Sequence, residues 1–576
     1  MGGAKTRSAS VASLVSRWGT AWAVLSAVRL LGAAVNVIGD CDETFNYWEP
    51  VHHLVYGGGL QTWEYAPRYA LRSWLYAGAH AAVGWVLAAM GLSKPAVFYG
   101  IRAALGVGSA ACEATLVAAV AARHGERLAA GTLFFMVVSP GPFQAGTALL
   151  PSSFAMCATS VAVAAWMGGN RQRAVWAVGV GAILGWPFAA LAGLPIALHA
   201  LAMDGAAAVA RWMAAAAAAT VLPGVVVDSV AYGRAVVSPL NLLLYNTGLG
   251  AAAGGGGGDA RGAHLYGTEP AGWYLRNLAN NFTLGLPLAL ALPVLTLARR
   301  RRTRSAAAAA AGGGATRPRA PGGGRTTAAL MLHLSPLYLW LGFFSAMPHK
   351  EERFMYVVYP LLCVAAAAGL REASALAADL AGWLASRSSP RAEGALRHAT
   401  GVASVALVSA AVVALGASRV AAVVDGYGAP ALVHARFAAS PLAASAAAAA
   451  PGATVCLGSA WFRFPSSFFL PAGLTHVTFL PGSHGGALPG RFASTSTAAP
   501  WLNDENRAVP EQFVSDPSTC TVVAGADPAA HPRGSRPPTL SSPLLDTGPA
   551  WTRALYVPFG VSRARNRYTP YALWVF

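Results

Sequence analysis

Residues 18–74 read WGTAWAVLSAVRLLGAAVNVIGDCDETFNYWEPVHHLVYGGGLQTWEYAPRYALRSW. Residues 18–38 are apolar with one charge, Arg29. They have the length of a helix that crosses a bilayer. No small-residue cleavage site follows, so the run reads as a retained span and not as a signal peptide. Lys5, Arg7 and Arg17 flank it on the N-terminal side. Basic flanks stay in the cytoplasm, so residues 40–74 are expected on the lumenal side. That segment sets Asp40, Asp42, Glu43, Glu49 and Glu64 among aromatic residues.

The whole chain fits this beginning. Of its 576 residues, 55% are hydrophobic and only 11% charged, with a mean hydropathy of +0.47. Soluble domains carry roughly 25% charged residues, so the composition predicts a polytopic membrane protein. The net charge of +18 lies mostly in loops between apolar runs, where it specifies orientation and predicts no nucleic-acid partner.

Residues 75–92 read as a lumenal interfacial helix, because this puts the basic cluster at 123–127 in the cytoplasm. Runs 96–121, 128–149, 151–168, 212–227, 282–298, 327–346, 354–370 and 401–424 read as crossings. Residues 174–203, interrupted by Pro187 and Pro195, read as two short or broken ones. Residues 299–325 hold eight arginines and no acid, the strongest cytoplasmic signal in the chain. An odd number of crossings, about eleven, satisfies every basic loop. The expected organisation is a cytoplasmic N-terminus at 1–17, a first helix at 18–38 and a lumenal catalytic loop at 39–95. A multi-span domain at 96–424 with an Arg-rich loop at 299–326 follows, then a lumenal domain at 425–576. In that last domain Thr454–Leu457 and Ala554–Val557 read as strands, and a small α/β or β-rich fold is expected. Residues 525–543 read as a flexible Pro-rich insertion.

The six cysteines form no CxxC pair. Cys456 and Cys520 could pair in an oxidising lumen; the others read as core residues. The sequon Asn281-Phe282-Thr283 lies at the membrane edge, a poor position for glycosylation.

Two stretches carry chemistry. Asp40-Cys41-Asp42-Glu43 gathers three carboxylates beside Phe45, Tyr47 and Trp48. Mutual repulsion and partial burial raise carboxylate pKa values, as a general base for a sugar hydroxyl requires. The alternative is an ordinary acidic loop with interfacial aromatics. About three hundred residues later comes Pro348-His349-Lys350-Glu351-Glu352-Arg353-Phe354. His, Lys and Arg in five residues could hold a phosphate, with Glu351 or Glu352 orienting them. The alternative is a snorkelling cluster at a helix end. His52 and His53 are adjacent and point apart on a helix, so a structural role is expected for them. Trp186-Pro187 and Pro151-Ser152-Ser153 read as helix-break and packing features.

At these residues the chain resembles a known family. DCDETFNYWEP at 40–50, QTWEYAPRYALRSW at 61–74 and PHKEERF at 348–354 are similar to the dolichyl-phosphate-mannose-dependent α-1,2-mannosyltransferases of N-glycan precursor assembly. These belong to glycosyltransferase family 22 of the polytopic GT-C superfamily. LLPSSFAM at 149–156, LYGTEP at 265–270 and FRFPSSFFLP at 462–471 match as well. The insertions near 251–258, 303–326 and 525–543 depart from the pattern outside the matching stretches.

The resemblance implies an all-α polytopic fold in the endoplasmic-reticulum membrane. It implies dolichyl-phosphate-mannose as donor and a dolichyl-diphosphate-linked oligosaccharide as acceptor. Transfer from a β-linked donor to an α-linked product inverts the anomeric centre and requires one base. On this reading Asp42 is the first choice as base, then Glu43, then Asp40. His349, Lys350 and Arg353 hold the donor phosphate, Glu351 and Glu352 orient them, and Tyr47, Trp48 and Glu49 line the sugar pocket. No cofactor or metal is required. The alternatives are another family 22 enzyme, of the α-1,6 or glycolipid-anchor type, and a transporter or scramblase, which would place ionisable groups at mid-membrane.

Overall fold

The computed structural model describes residues 10–247, 267–311, 323–386, 389–448, 453–471, 473–474, 476–525, 538–545 and 568–575. Within them, six helices are long and apolar enough to cross a membrane, or eight if two bent helix pairs each count as one span. Trp74–Ala89 and Pro151–Met167 are apolar but shorter.

Helix Tyr359–Ala385 is the axis of the bundle, and nearly every side chain of its first three turns is buried. Small residues let its neighbours approach closely. A Cβ at Gly369 would lie 2.1 Å from the Leu288 carbonyl oxygen, so only glycine fits against helix Gly285–Ala311 there. Prolines at the first helical turns of Lys94–His124, Pro151–Met167, Tyr359–Ala385 and Pro390–Tyr427 fix where these helices begin.

Two expected boundaries change. The run 128–149 is not one span: the helix is Glu126–Val138, followed by a short helix Pro140–Ala145. Pro140 and Pro142 lack the N–H groups needed to continue it. The basic run at 299 starts on a helix and not in a loop, because Gly285–Ala311 is continuous; residues 312–322, with Arg317 and Arg319, lie outside the described residues. The expected break in 174–203 is present. Helix Arg171–Val180 passes through a π-turn at Gly181–Gly185 and the Trp186-Pro187 step into Ala190–Asp204.

The lone charge of the first span is paired. Arg29 is fully buried, and its Nη2 donates to Glu113 Oε1 of helix Lys94–His124 at 2.8 Å. A buried charge without such a partner would cost several kcal/mol. At the end of the same helix Asn36 donates to the Phe143 carbonyl and Thr147 Oγ1 at 2.8 and 2.9 Å, fixing the exit towards Asp40.

The C-terminal part is α/β. Strands β1 (Leu60–Gln61), β2 (Thr454–Leu457), β3 (His476–Phe479), β4 (Gly490–Arg491), β5 (Cys520–Ala524), β6 (Leu540–Leu545) and β7 (Tyr568–Val575) form two sheets. The larger has the order β3-β2-β5-β7-β6, with β2 parallel to β3 and β5, and β7 antiparallel to β5 and β6. The smaller pairs β1 of the first loop with β4. Val37, Phe45 and Leu60 are part of this domain's own core, so the first loop and the C-terminal domain are one packed unit. Ala554–Val557 lies outside the described residues.

Cys456 on β2 and Cys520 at the start of β5 form a disulfide across 64 residues. Closing a loop of that length removes chain entropy from the unfolded state. The Cys456→Ala, Cys520→Ala protein is therefore expected to lose about 4 kcal/mol of domain stability, read as earlier cleavage of the C-terminal domain in limited proteolysis.

Candidate active site

The segment after Asn36 makes a sharp helical start. The Asp40 side chain caps it by accepting from the Asp42 N–H at 2.9 Å. A single turn, Cys41–Glu43, then widens into a π-helix at Thr44–Trp48 before helix Glu49–Tyr56. The single turn before the π-helix splits the carboxylates between two environments. Asp40 and Asp42 face a large cavity of about 1680 Å³, whereas Glu43 turns into the protein.

Opposite them, residues 347–351 are extended or turn-like, because Pro348 ends helix Ser335–Ala346, and a 3-10 helix begins at Glu352. Arg353 crosses the gap. Its Nη2 donates to Asp42 Oδ2 at 2.6 Å, its Nε lies 3.2 Å from Asp40 Oδ2, and the same Nε contacts Glu351. Glu351 Oε1 lies 2.8 Å from His349 Nε2, and His349 Nδ1 donates to the Gly267 carbonyl at 2.8 Å. Asp42, Asp40, Arg353, Glu351 and His349 thus form one connected chain on the cavity wall.

The electrostatics follow from this chain. Burial pushes Asp40 up to about 7, against the attraction of Arg353. Burial would also raise Glu351, but Arg353 and the His349 hydrogen bond outweigh it and hold it at about 2. Burial would lower His349, but its bond to Glu351 raises it overall.

The signs set a pH response. The contribution of Asp40 is full below its unfolded value of 3.8 and is lost as pH rises through about 7. That of His349 is full below 6.5 and is lost as pH rises through its higher folded value. Glu351 acts oppositely: its contribution is present above 4.5 and is lost only as pH falls through about 2. The purified protein is therefore expected to lose thermal stability as pH rises from about 4 to about 7, with a shallower slope in Asp40→Asn. An unchanged slope in that variant would separate Asp40 from the effect.

Lys350 also lines the cavity, but its ammonium donates to the Glu269 carbonyl at 3.0 Å and to the Met347 carbonyl. It braces the 267–270 segment against Pro348. Glu352 accepts from Asn277 Nδ2 at 2.8 Å, and Tyr274 donates to the Glu351 carbonyl at 3.1 Å. Helix Trp273–Phe282 was not anticipated as part of the site. Its signal was the polar face Asn277–Asn281, spaced by one helical turn. Asn281 of the sequon is buried and bonded to Asn277 and Tyr359, which leaves it no surface for a glycan.

Three expected site residues take other roles. Glu43 is buried and accepts from Trp48 Nε1 and the Leu149 N–H, both at 3.0 Å. It joins the first loop to the 149–150 turn and does not line the cavity. Trp48 is fully buried against Phe98, with ring centres 4.1 Å apart, and is a core residue, not a sugar platform. Glu49 is fully buried and accepts four hydrogen bonds, from Ser466 Oγ, Ser467 N, Ser467 Oγ and Leu60 N. The aromatic and acidic pattern located the loop, but the π-turn decided which side chains face inward. Tyr47 does reach the cavity, held by Arg72 Nη1 at 2.5 Å, and Arg72 in turn grips Glu64. His52 and His53 pack against Phe468 and Phe492.

Asp40, Cys41 and Asp42 bring three donor atoms within 4.8 Å of one another. Arg353 already pairs with both carboxylates, so a cation there would face a fixed guanidinium.

The family model described as the Alg9-like mannosyltransferase family matches residues 20–471. This chain belongs to the Alg9-like mannosyltransferase family. The match spans the first helix, both stretches of the site and the start of the C-terminal domain. "Alpha-1,2-mannosyltransferase ALG9" of Mus musculus is 36% identical over 577 residues, covering 96% of this chain and 87% of the relative. The protein of the same name in Arabidopsis thaliana is 35% identical over 559 residues, covering 94% and 89%. Among solved structures, ArnT from Cupriavidus metallidurans in the apo state is similar with a TM-score of 0.50 at 14% identity, covering 89% of this chain and 93% of that one. That likeness concerns the fold alone. As a member of the Alg9-like family the chain is a mannosyltransferase and a multi-pass membrane protein, which sets aside the transporter and scramblase alternative.

Proposed function

We propose that the chain transfers mannose from dolichyl-phosphate-mannose to the dolichyl-diphosphate-linked oligosaccharide, forming α-1,2 linkages in the lumen of the endoplasmic reticulum. The observation that carries this reading is Arg353, which binds Asp40, Asp42 and Glu351 together at one cavity. The names of the curated relatives support the linkage. On this reading residues 39–95 and 425–576 are lumenal, residues 299–326 are cytoplasmic, and the number of crossings is odd.

Asp42 is the base. Both Asp40 oxygens are engaged, Oδ1 by the Asp42 N–H and Oδ2 by Arg353. Asp42 uses only Oδ2, and its Oδ1 has no hydrogen-bond partner among the described residues. That oxygen takes the proton of the acceptor hydroxyl as its oxygen bonds to the anomeric carbon. The bond from that carbon to the phosphate oxygen breaks, and its electron pair leaves with the dolichyl phosphate. A single displacement inverts the β donor to an α product without a covalent sugar–enzyme intermediate. Arg353 carries five N–H donors, and with His349 it stabilises the charge that develops on the phosphate. Lys350 keeps the 347–351 turn in place.

The test is incubation of membranes containing the chain with labelled dolichyl-phosphate-mannose and a lipid-linked oligosaccharide. The expected product carries label that an α-1,2-specific mannosidase removes. No transfer to any oligosaccharide of the series, or label resistant to that mannosidase, would overturn the assignment.

A further inference from the structure

The cavity does not end at the membrane helices. Its far wall is built by the C-terminal domain, from two turns that follow the parallel strands β2 and β3. Ser459, Trp461 and Phe462 come after β2, and Ser483 and His484 come after β3. Ligands of α/β sheets bind outside the carboxyl ends of parallel strands, because the turns there converge. The Trp461 and His484 rings lie 4.9 Å apart, and Trp461 is 5.7 Å from Phe45, three residues after the base.

The platform is anchored by hydrogen bonds on both sides. Thr44 Oγ1 donates to the Phe464 carbonyl at 3.2 Å, and Asn506 Oδ1 and Gln512 hold the turn through the Ala487 and Leu488 N–H groups and the Gly486 carbonyl. Ser483 Oγ is buried in the wall with no partner among the described residues. A volume of about 1680 Å³ also exceeds the roughly 300–1,000 Å³ typical of a site for one small ligand.

We propose that Trp461, with His484 and Ser483, forms a subsite for mannose residues of the acceptor glycan and positions its terminal hydroxyl at Asp42. The indole and imidazole faces suit the apolar faces of pyranose rings, and Ser483 supplies a hydroxyl to a sugar hydroxyl. This subsite rests on the proposed transfer to an oligosaccharide.

The test compares the wild-type full chain in detergent with Trp461→Ala and with Ser459→Trp, which fills the cleft from an exposed turn position. Acceptor and donor are each titrated in the transfer assay. Binding of a free mannose oligosaccharide is followed separately by saturation-transfer NMR. Both variants are expected to raise the acceptor KM roughly five- to tenfold, with donor KM unchanged and oligosaccharide binding weakened. Unchanged acceptor KM in both, or an equal rise in donor KM, would overturn the subsite. A wild type that transfers nothing but binds the oligosaccharide through Trp461 would overturn the proposed reaction and leave the subsite standing. Absence of both transfer and binding would overturn both. If Trp461→Ala fails to accumulate, Ser459→Trp decides alone.

Discussion

Asp42→Asn is expected to lower mannose transfer by roughly a thousandfold, the usual loss when a general base is removed. The substitution keeps the shape of the side chain and its contact with Arg353, so donor binding and protein abundance are expected to stay at wild-type levels. Asp40→Asn is expected to be milder, because that carboxylate acts through its grip on Arg353 and on the Asp42 N–H. Single-turnover transfer with donor in excess reads the chemical step directly. If Asp40→Asn proves the more damaging of the two, with Asp42→Asn near wild type, Asp40 is the base. Burial raises Asp40 to about 7, so in that case transfer would rise with pH through that value and flatten above it.

Glu49→Ala is expected to have the largest effect on folding. Four donors from three residues converge on this buried carboxylate, at 2.7–2.8 Å. Removing it leaves Ser466, Ser467 and Leu60 with buried unmet donors, at a cost of about 3–5 kcal/mol. The loss falls on the joint between the first loop and the C-terminal domain. The readouts are abundance in membranes and protease cleavage after residue 425, both altered before any kinetic constant can be measured. Normal abundance with a raised KM would instead support a sugar contact. Glu49→Gln keeps one acceptor oxygen and is expected to fall between the two.

These two carboxylates show where the sequence was sufficient and where it was not. Both stand in the same acidic, aromatic string, and composition treats them alike. Burial separates them, through contacts with residues more than four hundred positions away that no local pattern announces. Trp48 turns into the core at the end of a π-turn, which shifts the side-chain register relative to an α-helix, and Glu43, just before that turn, is held inward by Trp48 Nε1 and the Leu149 N–H. Asn277 and Tyr274 were overlooked because asparagine and tyrosine on a short amphipathic helix carry no chemical signature by themselves.

By itself the sequence determined the membrane class, the helix-rich bundle, the break at Trp186-Pro187 and the two stretches that carry the chemistry. Those properties follow from apolar run length, proline positions and the rarity of charge in an apolar chain, all of which are local. Only the tertiary structure decided that Arg353 meets Asp40 and Asp42, that Glu43 and Glu49 brace the fold, that Cys456 pairs with Cys520, and that the C-terminal domain closes the cavity. Each of these is a contact between segments far apart in the chain. Such contacts are selected by how whole elements pack and by which buried polar groups must be satisfied.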